Sequence, residues 1–200
     1  MKRIAKGLLW ASALAAVLFW PSPALAHEER GKAIGLLAGL KHPVSGLDHV
    51  LAMIAVGMWG AQLGAPAVWV LPVAFPMVMA FGAALGVLGV AIPGIEVGIA
   101  ASAVVLGAMV FLEAKPPLPV AALIVGVFAI FHGHAHGTEL PLGASGLLYS
   151  IGFVVATGCL HGVGIGIGTV HRWPKGRIAL RLGGAAVALS GVVFLVRAIA

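Results

Sequence analysis

The chain has 200 residues, of which 61% are hydrophobic and only 9% are charged. A soluble domain is ordinarily about 45–50% apolar and about 25% charged, so a water-soluble chain of this length could not bury so much apolar surface. The formal net charge of +6 comes from few basic residues, mostly at predicted helix ends, which indicates membrane topology rather than nucleic-acid binding. The single cysteine, Cys159, excludes an intrachain disulfide and a thiolate-rich metal site.

The N-terminus has the three parts of a secretory signal. A basic start, an apolar stretch and a small-x-small end at residues 24–26 predict a cleavable signal peptide over residues 1–26. An uncleaved first membrane helix is the alternative. Cleavage would place His27 at the mature N-terminus, where its free α-amine and imidazole could contribute to a metal path. Residues 27–41 contain an apolar run too short to span a bilayer, so they are predicted to form a short extracytoplasmic or interfacial segment.

Beyond this segment, apolar stretches recur between breaks rich in proline and glycine. A spanning helix needs about 20 mostly apolar residues, and glycine and proline interrupt helices. The pattern predicts an all-α, polytopic membrane protein with one transmembrane domain over residues 42–200. The six predicted spans cover residues 44–63, 67–91, 94–113, 117–136, 144–169 and 178–198.

The basic residues between the spans predict the orientation of the chain. Lys115 and a basic cluster at residues 172–181 follow the third and fifth spans, whereas Glu96 and Glu139 stand in connections that have no lysine or arginine. Lysine and arginine are enriched in cytoplasmic loops. We therefore expect a bacterial inner-membrane protein whose mature N- and C-termini both lie on the periplasmic side, which agrees with cleavage of a signal peptide.

The first group of ionisable residues stands where the first span begins. Ionisable residues inside a membrane are costly and are functional candidates by default. Pro43 suits the first position of a helix, which predicts His42 at the helix cap and places Asp48 and His49 one to two turns inside. On a straight helix His42 and His49 would be separated by about 10 Å of rise and could not share one ion. Either the chain before Pro43 folds back, or the two histidines are successive stations on one path. Asp48 either binds the metal directly or orients a histidine.

The second group stands at the end of the fourth span. His132 and His136 are one helical turn apart, an arrangement that recurs in metal sites, and Glu139 continues their face. His134 points to the other side and is the weakest candidate. Histidines and carboxylates from the two groups would form a nitrogen and oxygen site that suits nickel, cobalt, zinc or copper(II). The metal is expected as a transported ion rather than as a permanently bound cofactor.

Deeper in the fifth span, His161 has three open interpretations: a later station on a metal path, a proton-linked group, or a hydrogen bond between helices. Two enzyme classes are alternatives to a transporter. The G-x-S-G string around Ser145 would suit an intramembrane serine protease, but the last span offers no histidine to activate it. A metal-dependent intramembrane enzyme and a metal-binding sensor or accessory protein that does not conduct are the remaining alternatives to a permease, which is not an enzyme.

The spacing His42-x5-Asp48-His49, followed by Phe131-His132-Gly133-x-Ala135-His136-Gly137-x-Glu139, resembles the two signature motifs of the HupE/UreJ family. The signal peptide and the six spans fit the same family. The resemblance implies secondary uptake of nickel, sometimes of cobalt, for the maturation of hydrogenase or urease. By motif position it implies functional roles for His42, Asp48, His49, His132, His136 and Glu139. The expected partners are the divalent metal ion and the lipid bilayer; the sequence is compatible with a homo-oligomer and indicates no nucleic acid.

Overall fold

The computed structural model of the protein describes residues 35–200, so the predicted signal peptide and His27 lie outside the described residues. Within this range the chain forms seven α-helices and one 3-10 turn, with no strand, which confirms the all-α prediction. The elements are α1 (Gly35–Ser45), α2 (Leu47–Leu63), α3 (Ala67–Val87), α4 (Ile95–Leu112), α5 (Leu118–Thr138), α6 (Gly146–Gly168), the 3-10 turn (Thr169–Arg172) and α7 (Pro174–Ile199).

The helices account for the predicted membrane spans. The helices from α3 to α7 are each long and apolar enough to cross a bilayer, and α1 and α2 together form a sixth, bent candidate. The chain is thus a multi-pass membrane protein. The bent pair begins at Gly35, well before the predicted start of the first span at residue 44. The boundaries of the other spans agree with the sequence prediction to within a few residues. Among these, the largest shift at a helix start concerns the last span, which begins at Pro174 rather than near residue 178, because proline is well suited to the first turn of a helix.

Helix α2 lies at the centre of the bundle. It packs against α3, α4, α6 and α7, and its residues from Ala52 to Gln62 are almost continuously buried. The other close pairs are α3 with α5, and α4 with α7. Large apolar side chains on the outside of α3, such as Trp69 and Met77, are exposed, as expected of a surface that faces lipid. The core of the protein therefore lies along α2.

Two glycines set the distance between α5 and α3. A Cβ on Gly133 would collide with the carbonyl oxygen of Met79, and one on Gly137 with that of Ala83. The last turns of α5 consequently lie against the backbone of α3, as small residues permit in membrane bundles. This contact fixes the position of the histidines beside the two glycines.

The prediction that a helix begins at Pro43 is wrong. Pro43 lies inside α1, and α2 begins only after Gly46, where the two helices meet at 81°. Asp48 and His49 therefore stand in the first turn of α2 rather than deeper inside. A Cβ at Gly46 would lie 2.7 Å from Asp48 Oδ1 and 3.1 Å from His49 Nδ1, so a larger residue would displace the Asp48 carboxylate from its present position. The bend selects the interpretation in which the chain before α2 folds back.

Candidate metal centre

Helices α1, α2 and α5 meet at one end of the bundle and bring the two sequence motifs together. The ring centroids of His42 and His136 are 4.6 Å apart, those of His49 and His132 4.7 Å, and those of His49 and His136 5.1 Å. The ring centroids of His42 and His49 are 6.5 Å apart, a distance that the bend at Gly46 makes possible. These four residues, His42, His49, His132 and His136, are called the histidine cluster below.

Each of the two predicted carboxylates holds one histidine of the cluster. Glu139 Oε2 lies 2.9 Å from His42 Nε2, and Asp48 Oδ1 lies 2.9 Å from His49 Nδ1. The same oxygen of Asp48 accepts the backbone N–H of His49 at 2.8 Å. Because an ionised carboxylate only accepts, Nδ1 of His49 carries the hydrogen and Nε2 keeps its lone pair. Of its two open roles, Asp48 takes that of orienting a histidine in this structure.

A residue that the sequence analysis did not single out orients His132. Ser102, fully buried on α4, donates its hydroxyl hydrogen to the carbonyl oxygen of Ile99 at 2.6 Å. Its oxygen lies 2.9 Å from Nε2 of His132 and must therefore accept a hydrogen from that nitrogen. The arrangement leaves the lone pair on Nδ1 of His132. No sequence pattern points to Ser102; its only signal is a hydroxyl within an apolar span.

The nitrogens left over by these bonds are buried and have no partner. They are Nε2 of His49, Nδ1 of His132 and both ring nitrogens of His136. The His136 ring stacks on Phe153 with centroids 5.3 Å apart and an angle of 18° between the planes. Buried polar atoms are nearly always hydrogen-bonded in folded proteins. Several unpartnered nitrogens within one cluster therefore indicate a ligand that accepts their lone pairs, and a metal ion is such a ligand.

The candidate metal ligands are not arranged around one common point. Among residues 35–200, no group of three or more histidine, cysteine, aspartate or glutamate side chains is already arranged to hold a metal ion. Side-chain rotation must bring the nitrogens onto one ion. Glu139, Asp48 and His42 have the most freedom for it, since their side chains are 56%, 26% and 23% exposed. Such a site suits an ion that is captured and released better than one that is held permanently.

Two cavities lie at the cluster or beside it. A cavity of about 390 Å³ between α3, α5 and α6 is lined by His136, Tyr149 and Phe153 together with apolar side chains. A second cavity of about 380 Å³ lies beside Asp48 and is bordered by Glu96 and Arg197. Glu96 is exposed, as expected for a carboxylate at the end of a span. The first cavity therefore reaches the cluster at His136, whereas the second reaches Asp48, the carboxylate that holds His49.

The two lower-ranked histidines within the described residues lie apart from the cluster. Nε2 of His134 donates to the carbonyl oxygen of Val90 at 2.7 Å and so ties α5 to the connection between α3 and α4. His161 lies deeper, on α6, and its Nδ1 bonds to the carbonyl oxygen of Pro72 at 3.2 Å. Each of the two histidines is thus bonded to a backbone carbonyl through one ring nitrogen, and its other ring nitrogen is buried without a partner.

The opposite end of the bundle has a different polar cluster. A cleft of about 180 Å³ at this end is lined by Gln62, Glu113, Lys115, His171 and Arg177. Arg177 Nε donates to both carboxylate oxygens of Glu113 at 2.6 and 2.8 Å. This hydrogen bond is the main reason why the pKa of Glu113 lies below its ordinary value of 4.5. The charges of Glu113 and Arg177 therefore compensate each other within the chain.

Ser145 has a structural task. Its hydroxyl oxygen caps α6 by accepting the backbone N–H of Leu148 at 3.4 Å, and no histidine within residues 35–200 hydrogen-bonds to it. The geometry does not favour a serine nucleophile, which needs a base within hydrogen-bond reach.

Comparisons with known proteins agree with the two motifs. The chain matches the family model described as HupE / UreJ protein over residues 14–194. It is 49% identical over 175 residues to a curated relative named Protein HupE from Rhizobium leguminosarum bv. viciae, and the match covers 87% of this chain and 92% of the relative. No solved structure matches the chain significantly.

Proposed function

Because this chain belongs to the HupE/UreJ family, we propose that it is a secondary permease that carries a divalent transition metal into the cytoplasm. Nickel is the expected ion and cobalt the second, and the imported metal serves the maturation of hydrogenase or urease. The metal is the substrate of the protein, which carries out no chemical reaction on it.

The observation that carries this proposal is the group of unpartnered histidine nitrogens between α2 and α5. Hydrogen bonds that His49 donates to Asp48 and His132 donates to Ser102 leave one lone pair free on each histidine. His136 adds two further nitrogens, and Glu139 holds His42 at the rim. Imidazole nitrogens assisted by carboxylates bind nickel, cobalt, copper and zinc, so the donor set selects this class of ion over magnesium or calcium.

The proposed orientation places the histidine cluster on the periplasmic side. The basic residues from Arg172 to Arg181 and Lys115 then lie at the cytoplasmic end, in accord with the positive-inside rule. A dication that enters an inside-negative cell gains about 2.3 kcal/mol per charge per 100 mV. For two charges the gain is ~4.6 kcal/mol, or roughly a thousandfold accumulation. Membrane potential therefore suffices to drive uptake without a coupled ion.

The loose geometry of the cluster favours conduction over permanent binding. A conducting site must attract the ion yet bind it weakly enough to let it leave, and donors that must rotate before they converge meet this requirement better than a closed polyhedron. A sensor or an accessory protein would instead gain from retaining the ion. An enzyme would need a catalytic group beside the metal, whereas metal binding already accounts for each residue of the cluster.

The proposal is tested by uptake of radioactive nickel in a host that lacks its own nickel permeases. The intact protein is compared with His49→Ala and His136→Ala at equal membrane abundance, and Cys159→Ala, an exposed residue of α6, serves as the matched control. We expect accumulation with the intact protein and the control, and background levels with both histidine variants.

Two results would contradict this account. If the intact protein accumulates no nickel while a known permease does so under the same conditions, nickel uptake is wrong, and cobalt and zinc are measured next. If both histidine variants transport as well as the intact protein, the cluster is not on the path of the ion.

A further inference from the structure

The buried face of α6 continues inward from the histidine cluster. Four buried side chains follow one another at every fourth position: Tyr149, Phe153, Thr157 and His161. Tyr149 lies 6.0 Å from His42 and Phe153 stacks on His136, so the first two border the cluster. Thr157 and His161 extend the same face by about 6 and 12 Å beyond Phe153, at 1.5 Å per residue. Two polar residues therefore stand deeper in an otherwise apolar interior.

A proline on the neighbouring helix sets the orientation of His161. In α3 the carbonyl of Pro72 has no partner along the helix, because residue 76, four positions on, is a proline without an N–H. Nδ1 of His161 bonds to this carbonyl at 3.2 Å. A carbonyl only accepts, so the hydrogen of the neutral imidazole resides on Nδ1, and the lone pair resides on Nε2.

The atoms left free at this depth have no partner. Nε2 of His161 and the hydroxyl oxygen of Thr157 are both buried without a hydrogen bond, although the side chains are only 1% and 0% exposed. Within a bilayer each such atom is costly. The two atoms stand one helical turn apart on the same face of α6. They are potential metal ligands of the same kind as those of the histidine cluster, but fewer.

An aromatic ring separates this pair from the cluster. The ring of Phe75 on α3 lies 5.5 Å from that of His132 and 5.3 Å from that of His161, edge-on to both. Phe75 is fully buried. An ion bound between the histidines of the cluster therefore cannot reach His161 without a movement of this side chain, and the two places are separate stations rather than one site.

We propose that Thr157 and His161 form a second, deeper station for the same divalent transition metal, reached from the histidine cluster past Phe75. This inference rests on the proposed function. Water completes the coordination of the ion at this station, since the two side chains supply one imidazole nitrogen and one hydroxyl oxygen. A deeper and weaker station lets a second ion, or the same ion in transit, leave the stronger cluster, as multi-site conduction requires.

The test is a nickel titration of the purified full chain in lipid nanodiscs, combined with nickel influx into proteoliposomes. The variants are His161→Gln, whose amide can still donate to the Pro72 carbonyl but which has no imidazole lone pair, and Thr157→Val, which keeps the shape and loses the hydroxyl. Thr169→Val is the matched control, because that hydroxyl is bonded to the carbonyl of Gly166 at the far end of the helix.

We expect the intact protein and the control to bind a second, weaker equivalent of nickel, which His161→Gln loses while it keeps the tighter one. Influx should fall at least tenfold in His161→Gln and by a smaller factor in Thr157→Val. An unchanged second equivalent in His161→Gln, or a single equivalent in the intact protein, overturns the deeper station. Should the intact protein show no influx, the permease proposal fails, and the second equivalent alone still decides the station.

Discussion

The two ends of the bundle use polar side chains in opposite ways. At one end His49, His132 and His136 keep buried nitrogens without partners. At the other, most polar groups are matched within the chain: Arg177 pairs with Glu113, and the indole N–H of Trp59 donates to the carbonyl of Ala114 at 2.9 Å. Among the residues lining the cleft there, Gln62 keeps one buried oxygen, Oε1, without a partner. Both ends hold several ionisable residues, so the number of charges does not distinguish them.

The difference shows which polar groups stabilise the fold and which await a ligand. A group whose hydrogen bonds are complete lowers the free energy of the folded chain by itself, whereas a buried group without a partner raises it. Helix α5 holds a bonded and an unbonded imidazole two residues apart: His134 bonds to Val90 through Nε2, which leaves only its Nδ1 without a partner, and neither ring nitrogen of His136 is bonded. Substitutions at the two positions should therefore have opposite consequences.

The largest effect is expected for His136→Ala compared with His134→Ala. Loss of His136 removes a direct ligand, so nickel affinity should fall more than the roughly 10–100-fold that loss of a supporting hydrogen bond costs. It breaks no hydrogen bond of the fold. Loss of His134 strands the Val90 carbonyl and should cost about 1–3 kcal/mol of stability while leaving nickel affinity unchanged. Equilibrium dialysis and thermal unfolding in nanodiscs measure the two quantities.

A reversed pattern would contradict the comparison. If His134→Ala abolished binding and His136→Ala left it intact, the free nitrogens of His136 would not be ligands, and His134 would have to leave Val90 to bind the ion.

An intermediate effect is expected for Ser102→Ala. Without the serine oxygen, His132 loses the acceptor that holds its hydrogen on Nε2, and its lone pair is no longer directed from Nδ1. Supporting hydrogen bonds of this kind are typically worth about 10–100-fold in metal affinity. Ser102→Thr, which retains the hydroxyl, should bind within a few-fold of the intact protein. Equal affinities for the alanine and threonine variants would show that Ser102 only fills space.

The smallest effect is expected for Glu113→Gln at the opposite end. Because Arg177 lowers the pKa of Glu113 below 4.5, the carboxylate is ionised at neutral pH and the ion pair adds stability there. That contribution is fully present above pH 4.5 and is lost as the pH falls through the lowered pKa. Glu113→Gln should remove this acid-dependent part of the unfolding curve and leave nickel affinity unchanged. A loss of affinity would place Glu113 on the path of the ion.

Much of the fold could be predicted because bilayer-length apolar runs leave few alternatives. The spans of α3 to α6 and the pairing of His132 with His136 on one face follow from length and helical period alone. The bend before α2 could not be predicted in this way. Pro43 is a good first residue of a helix, and nothing local shows that α1 continues through it to Ser45. The position of the bend is determined by the packing of α1 against α6 and by the space required around Gly46.

The residues that support the site are less visible in the sequence than the candidate ligands. Ser102 and His132 are 30 positions apart, and His161 and Pro72 are 89 apart. Such contacts depend on how helices pack, which no short motif encodes. The role of His134 illustrates the same point, since helical spacing places it away from His136 but does not name Val90 as its partner.

The most direct measurement is nickel-edge X-ray absorption of the full chain in nanodiscs loaded with one equivalent of nickel. The account predicts several imidazole nitrogens and at least one oxygen around the ion, with the imidazole signal reduced in His136→Ala and unchanged in His134→Ala. A spectrum of nickel bound by water oxygens alone, the same in all three proteins, would contradict the claim that the unpartnered histidines of the cluster bind the metal.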